Sequence, residues 1–554
     1  MASSAPRRRA RRSSLTLRGA ALAFGLATLA ACARPGVEGR GDSGGPRRGG
    51  TIVLGWTADL KGVNELTLPS NLMTDEILHR LFLHLVEEQP DFEEHPPSFV
   101  PQLAASYDWS GDHKILTFHL RKDAVWSDGV PVTAEDVRWT WQAQTDKAVA
   151  WDSWYMKKSI TDTEVVDPHT VRFHFDHVYA KQLLDVNEGA ILPKHAWEKL
   201  PFAEWRTRGD WFREHLVVDG PFTLESWKPQ QEFVLKRNEH YYDPARPYLD
   251  RVVCRIIPDQ GSLMTQLFSG AIDFINQVSP TAADQIKKDP HLALMAYWNR
   301  LAVVVAWNNE RPPFNDPEVR RALTLGIDRK TIVETLFGPY GRIATSPIVA
   351  AVWAHNSAIK PLPYDPAEAR RILERRGFRD TNGDGILERD GKPFAFELTS
   401  NAGNRQRNDA AVMIQAQLKK IGVEATPRVI EFNTLIDALN AGHYEAAMAG
   451  LGMDTSLDLT GNFASKAIKD GSNYARYANP EVDTLIGRAM SRPNILDSRG
   501  DLDRIQEILN RDQPETFLWE SQRLNGINRR VHGAKPNSLF SLFNLQDWWV
   551  EAGR

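Results

Sequence analysis

Few stretches of this chain hold side chains set at intervals suited to binding or catalysis. The first places an acid behind glycines: an apolar strand pattern at 446–449 runs into Gly450-Leu451-Gly452-Met453-Asp454. Glycines let a backbone approach a ligand closely, and in open α/β sheets ligands sit beyond the carboxyl ends of strands. Asp454 could there pair with a ligand ammonium, a charge-assisted bond that is strong when both ions are matched as they leave water. The alternative reading is a loop Asp that caps a helix or turn, and Asp458 is the neighbouring competitor. The second stretch is Asp380-x-Asn382-x-Asp384-Gly385, oxygen ligands at alternating positions as in the first half of a calcium loop. The full loop wants an acid at its twelfth position, which here is Gly391; Glu388 is the substitute ligand, and a tight turn before a strand at Phe394 is the alternative. The third stretch, Gly41-Asp42-Ser43-Gly44-Gly45-Pro46, offers a serine nucleophile, but a triad needs a base and no His precedes Ser43. Gly39-x-Gly41-x-x-Gly44 imitates a dinucleotide loop without a strand before it or a helix after it. The fifteen His residues form no H-E-x-x-H pattern, and His174-x-Asp176-His177 reads as surface. No catalytic residue and no cofactor is therefore assigned, and no metal beyond that calcium candidate.

The elements that must position these residues differ along the chain. Thr51-Ile52-Val53-Leu54-Gly55-Trp56 is strand-like, 73–86 helix-like, and 116–120 and 170–175 alternate at period 2. Thr133 is placed to cap a helix whose first turn holds Glu135 and Asp136. Residues 219–257 read mostly as strands, with turns at Gly220-Pro221 and Asp243-Pro244. Beyond about 307 the texture becomes α/β. Asp316-Pro317 caps a helix with Pro in its first turn, and Asp328 starts another that stops at Gly338. Phe394, Phe396 and Leu398 mark a strand; Ala411, Ile414, Leu418 and Ile421 a helix; 423–430 a strand; 432–439 a helix; 446–450 a strand. This βαβαβ alternation predicts a parallel α/β sheet. The C-terminal residues 531–550 read as strand-like and could return to the first half.

The chain has 554 residues, enough for two or three domains. It is 42% hydrophobic and 25% charged, which permits a large core and excludes global disorder. Its first 31 residues carry six arginines and no acid, then an apolar run from Ala20 to Ala31 that suits a secretory signal. The run ends Leu29-Ala30-Ala31-Cys32, which resembles the bacterial lipobox cut before a lipidated cysteine. Arg11-Arg12-Ser13-Ser14-Leu15 only hints at a twin-arginine route. Without the six arginines the formal charge falls from −4 to −10, which disfavours nucleic acid as a partner. Residues 32–50, rich in Gly, Arg and Pro, read as a flexible tether. Cys254, the second of two cysteines, reads as an inert buried thiol.

Several fragments together resemble one family. Phe118-His119-Leu120-Arg121-Lys122, and then WSDGVPVTAEDV from Trp126 to Val137, are similar to the signature of family 5 extracellular solute-binding proteins. Those proteins serve ATP-driven importers of dipeptides, oligopeptides, nickel and some sugars. Further fragments agree in order: Ile191-Leu192-Pro193-Lys194-His195; Asp219-Gly220-Pro221-Phe222; Lys236-Arg237-Asn238; Pro247-Tyr248-Leu249-Asp250; FNDPEVRRAL from Phe314; and Tyr477-Ala478-Asn479-Pro480-Glu481.

The resemblance implies a two-lobed periplasmic-binding-protein fold of α/β class (type II, large cluster C-like) with an extra small subdomain. Lobe I would hold 51–306 and 523–554, with the subdomain at about 96–212, and lobe II 307–522; the lobes would close on ligand by a hinge. Asp128-Gly129, Thr133 and Arg237-Asn238 read as fold-keeping turns and caps. In peptide-binding relatives an Asp after a Gly-Trp-containing strand end holds the peptide amino terminus. Asp454 falls at the matching place, with Leu451 where Trp is common. Gly452, Trp56, Trp307, Asn308, Asn473 and Tyr474 are the further ligand-binding candidates. The expectation is a non-enzymatic, monomeric protein, held by lipid on Cys32 at the periplasmic or extracytoplasmic face. It would deliver oligopeptides or dipeptides to an ABC permease of the cytoplasmic membrane. Nickel complexes or oligosaccharides are the alternative ligands; a secreted hydrolase or a co-receptor of the same fold is the remoter alternative.

Overall fold

Two long strands carry the architecture. Leu292–Trp307 and Glu515–Asn528 run antiparallel from Leu292 opposite Asn528 to Ala306 opposite Glu515. Their ladder shifts register twice, between Trp298 and Ala302 and between Val303 and Val304, and the side strand Gly341–Arg342 joins at the first of these, at Ser521 and Glu520. The computed structural model describes residues 45–69 and 71–551. The signal, Cys32, Ser43 and most of the tether lie outside the described residues. Of the tether, Gly49 already donates to Tyr248 O at 2.8 Å and Gly50 to Asp250 Oδ2 at 3.0 Å, so its last residues are bonded to the body.

On one side of the crossing pair the sheet continues through Ala446–Gly452, Ala395–Asn401 and Glu424–Ile430. The last two are parallel, as are Ala395–Asn401 and Ala446–Gly452, which is the alternation the sequence predicts. Helix Arg405–Lys419 makes one crossover, burying Ala410, Ala411, Ile414 and Leu418 at helical spacing. On the other side the sheet continues through Phe274–Ile275, Thr51–Trp56, Arg251–Ile256, Glu232–Arg237 and Phe222–Lys228. A separate four-stranded antiparallel sheet, Ala104–Trp109, Ile115–Leu120, Thr170–Phe175 and Ile160–Asp167, forms the small subdomain with helix Ala134–Thr145. Its cap is as expected: the Thr133 N–H donates to Asp136 Oδ2 at 2.8 Å.

The cores segregate in the same way. One cluster draws on residues 52–256, with Phe274 and 527–550. Two others draw almost wholly on 302–519 and share the strand Leu292–Trp307 between them. Val303, Val305 and Trp307 face one, and Ala302, Val304 and Ala306 the other. Side chains alternate across a strand, so burial on both faces explains the continuous apolar run.

Two expectations are corrected. The helix read over 73–86 is Leu72–Leu81. It stops because Asp219 Oδ1 accepts the Leu83 N–H at 2.9 Å and Gly220 N donates to Leu81 O at 2.8 Å, which draws the chain into an extended run. In 531–550 only Val531–His532 and Trp549–Val550 pair as strands. The apolar residues between, Leu542, Leu545 and Trp548, reach the first core from turns. Glu76 holds those turns in place, its buried carboxylate accepting the N–H groups of Ser541 (2.6 Å) and Leu542 (2.8 Å).

Candidate functional site

A cavity of about 370 Å³ opens between the two halves. Its walls are the end of helix Leu72–Leu81, the run through His84 to Glu88, the segments around Trp151 and Glu188, the crossing strand at Arg300, the loop at Asp454, and the C-terminal turn at Phe540. Fold-keeping motifs set these walls. Asp219 fixes Leu83, next to His84; Glu76 fixes the turn that carries Phe540. Lys157, fully buried, donates to the carbonyls of Asp185, Val186 and Glu188 at 2.5, 3.0 and 2.7 Å and so ties down the Glu188 wall. Burial lowers its ammonium to about 8.

The lining is acidic. Seven carboxylates reach it, from Glu65, Asp75, Glu87, Glu88, Asp152, Glu188 and Asp454, against the guanidinium groups of Arg80 and Arg300. Both guanidiniums are engaged with backbone: Arg80 with Phe543 O, and Arg300 with Met453 O at 2.9 Å. His79 and His84 stack at 4.3 Å, and His84 Nδ1 lies 3.0 Å from Asn187 O. Burial, with Arg80 nearby, pushes both below the usual imidazole range, His84 to about 4, so they are neutral at pH 7. Desolvation pushes Glu65 up to about 8 and Glu88 to about 7. Glu88 Oε1 is buried and has no hydrogen-bond partner among the described residues. A site of clustered carboxyl groups, two of them pushed by desolvation to titrate near neutrality, can take up positive charge.

Asp454 lines this cavity. It also closes its own turn: Oδ1 accepts from Ser456 N at 3.0 Å and from Ser456 Oγ at 2.5 Å. The capping and the cavity-lining positions thus coexist in one side chain. Asp458 is turned elsewhere, pairing with Lys181 Nζ at 3.3 Å.

The other candidates sit away from the cavity. Trp56 is buried in the first core, and Trp307 is fully buried, stacked on Phe314 with its Nε1 donating to Thr516 Oγ1 at 3.0 Å. Asn308 donates to Gly442 O and Tyr444 O at 3.2 and 2.9 Å; Asn473 donates to Ala464 O and Tyr477 O at 3.1 and 2.8 Å. Tyr474 packs against the cores of the second half, and Gly452 ends its strand outside the lining. These residues are therefore not brought together at this cavity: aromatic and amide residues near a strand end also serve folding, and here they pack in the cores or bond to backbone. Glu65, Glu88, Glu188, Arg80 and Arg300 were not singled out in the sequence; the one local signal is the acid pair Glu87-Glu88 straight after a buried run. The Asp380 loop does not line the cavity; carboxylate oxygens of Asp380, Asp384 and Glu388 lie within 4.8 Å of one another.

Comparison with known proteins points to one family. Residues 98–469 match the family described as bacterial extracellular solute-binding proteins, family 5. The oligopeptide-binding protein AppA of Bacillus subtilis is 30% identical over 516 residues, 92% of this chain and 93% of that protein. The periplasmic oligopeptide-binding protein OppA of Escherichia coli is 29% identical over 443 residues, 72% of this chain and 74% of that protein. The structure of B. subtilis AppA in complex with a nonapeptide superposes with a TM-score of 0.77 at 29% identity, covering 92% of this chain and all of that one.

Proposed function

The chain belongs to the bacterial extracellular solute-binding proteins, family 5, and from that premise we propose that it captures peptides bearing a free amino group and delivers them to an ABC permease. The observation that carries this reading is the acidic cavity with Asp454 on its wall. A peptide ammonium among Asp454, Glu88 and Glu188 would add positive charge to a lining in which carboxyl groups outnumber guanidiniums, sheltered from water. The main chain of the peptide would be met by strand-edge and side-chain polar groups, which gives tolerance of sequence. AppA and OppA, named for oligopeptide binding, support the ligand class.

The rest of the assignment follows the same premise. Residues 51–306 with 523–554 form one lobe and 307–522 the other, hinged at the two crossing strands. Cys32 carries the lipid that holds a monomer at the extracytoplasmic face, beside its permease. Native mass spectrometry of the purified full chain tests the ligand class. The expected result is a spread of added masses that fragment into short peptides. A single sharp adduct, such as a metal chelate or an oligosaccharide, would overturn it.

A further inference from the structure

The loop Asp380-Thr381-Asn382-Gly383-Asp384-Gly385 lies between helix Pro366–Arg375 and strand Ala395–Asn401, apart from the peptide cavity. It is closed at its base by a reciprocal backbone bridge: Arg379 N donates to Glu388 O at 2.8 Å and Glu388 N to Arg379 O at 2.6 Å. Within it, Asp380 accepts the N–H groups of Gly383 (2.7 Å) and Gly385 (3.1 Å), and Asp384 Oδ1 accepts Ile386 N at 2.8 Å. Gly383 and Gly385 hold φ of 80° and 89°, the left-handed region that lets so short a segment curl on itself. These bonds alone describe a turn.

Two further observations point to a cation. Glu388 is 8% exposed, and only its Oε2 is used, by the N–H (2.7 Å) and hydroxyl (2.9 Å) of Thr381. Its Oε1 is buried and has no hydrogen-bond partner among the described residues. A buried carboxylate oxygen left unpaired is costly unless something compensates it. The second observation is the missing counter-charge. Asp380, Asp384 and Glu388 bring carboxylate oxygens within 4.8 Å of one another, yet none of the three forms an ion pair among the described residues. The nearby arginines are turned away: Arg379 donates to the carbonyl of Phe378 at 2.8 Å, and Arg389 lies over the Phe378 ring at 4.4 Å.

We propose that Asp380, Asn382, Asp384 and Glu388 form a calcium site that fixes this loop of the second lobe. The ligand set is all oxygen, which suits a hard cation. Calcium accepts six to eight oxygens in flexible geometry, whereas magnesium demands a near-ideal octahedron and keeps more of its water. Positions 1, 3 and 5 of the loop are Asp380, Asn382 and Asp384; Ile386 falls at position 7, where calcium loops use a backbone carbonyl. Glu388, at position 9, takes the part that the twelfth residue plays in a full loop, where this chain has Gly391. The site is independent of the peptide cavity and serves to hold the loop and the hairpin Glu388–Arg389/Lys392–Pro393 against the end of helix Arg405–Lys419, where Leu387 N already bonds Gly422 O at 2.8 Å.

Calorimetric titration of the chelator-treated full chain with calcium chloride tests this, using the wild type, Glu388→Gln and Asp384→Asn. Both substitutions keep the size of the side chain and an oxygen acceptor for the bonds within the loop. The expected result is one calcium per chain, with an affinity of the order of 10⁻⁴–10⁻³ M, as in extracellular calcium modules. Each variant should weaken it at least tenfold, and magnesium should bind more weakly than calcium. No calcium binding by the wild type, or calcium binding unchanged in a variant whose circular dichroism shows it folded, would overturn the site.

Discussion

At the residue scale, the proposed function rests on Asp454 and on the carboxyl groups that line the cavity beside it. Asp454→Asn keeps the acceptor that Ser456 uses and removes the charge. A hydrogen bond to a charged group contributes about 1.5–3 kcal/mol, so the variant should bind free-amine peptides roughly tenfold or more weakly. N-acetylated peptides should be little affected, and calorimetry on the two ligand forms measures the difference; equal losses would remove Asp454 from the amine site. Glu65 gives a pH signature. Its folded pKa, about 8, lies above its ordinary 4.5, so between these values the folded chain holds a proton that the unfolded chain has lost. The stability this contributes is complete below about 4.5 and disappears as pH rises through about 8. Thermal melting should therefore fall from about pH 6 to about pH 8.5 more steeply in the wild type than in Glu65→Gln. A ligand ammonium favours the ionised carboxylates, so peptide binding should release protons and tighten over the same interval. The place of Asp454 beside the cavity was legible because a strand end followed by glycines has a physical meaning. Its six companions were not, because Glu65, Asp75, Glu87, Glu88, Asp152 and Glu188 come from separate segments that only the folded topology brings together.

At the scale of elements, short motifs prove to be joints rather than contacts. Gly220 shows why: a Cβ there would lie 2.6 Å from Arg80 O and 2.7 Å from Leu81 O, backbone atoms that cannot rotate away. Gly220→Ala should cost about 1–3 kcal/mol of stability, read as a lower midpoint in urea, and should blur the cavity wall at Arg80 and His84. Arg320 acts likewise in the second lobe. It donates to the carbonyls of Phe314 (2.6 Å), Gln513 (2.9 Å) and Asp512 (2.8 Å), joining the helix Pro317–Gly326 to the entry of the second crossing strand. Arg320→Ala should cost about 1–3 kcal/mol for each carbonyl it leaves unpaired. Helices with caps and the parallel βαβαβ unit were readable because local chemistry and burial agree along them. The segment 531–550 departs from the strand expectation because its apolar residues serve the core through turns, a pattern that resembles alternation without being a strand.

At the scale of the molecule, the two halves already touch outside the crossing strands. Lys181 pairs with Asp458 at 3.3 Å, Ala180 N donates to Met490 O at 3.0 Å, and Trp353 N donates to Phe92 O at 2.8 Å. The ion pair is largely sheltered, with both side chains about a fifth exposed. Lys181→Ala should lower peptide affinity a few-fold by weakening the contact between the halves, as calorimetry would read. An unchanged affinity would show that the pair takes no part in closure. The two-lobed fold was legible through the resemblance and the change of texture near 307; the break in the crossing ladder at Trp298 was not, because it is a matter of register. The acidic cavity between the lobes is proposed to take the amino group of a peptide. The most direct test is calorimetric binding of one short peptide to the full chain, with its amino terminus free and then acetylated, at pH 7. The free form is expected to bind about tenfold more tightly than the acetylated one, or better. Equal affinity of the two forms, or tighter binding of the acetylated peptide, would contradict it.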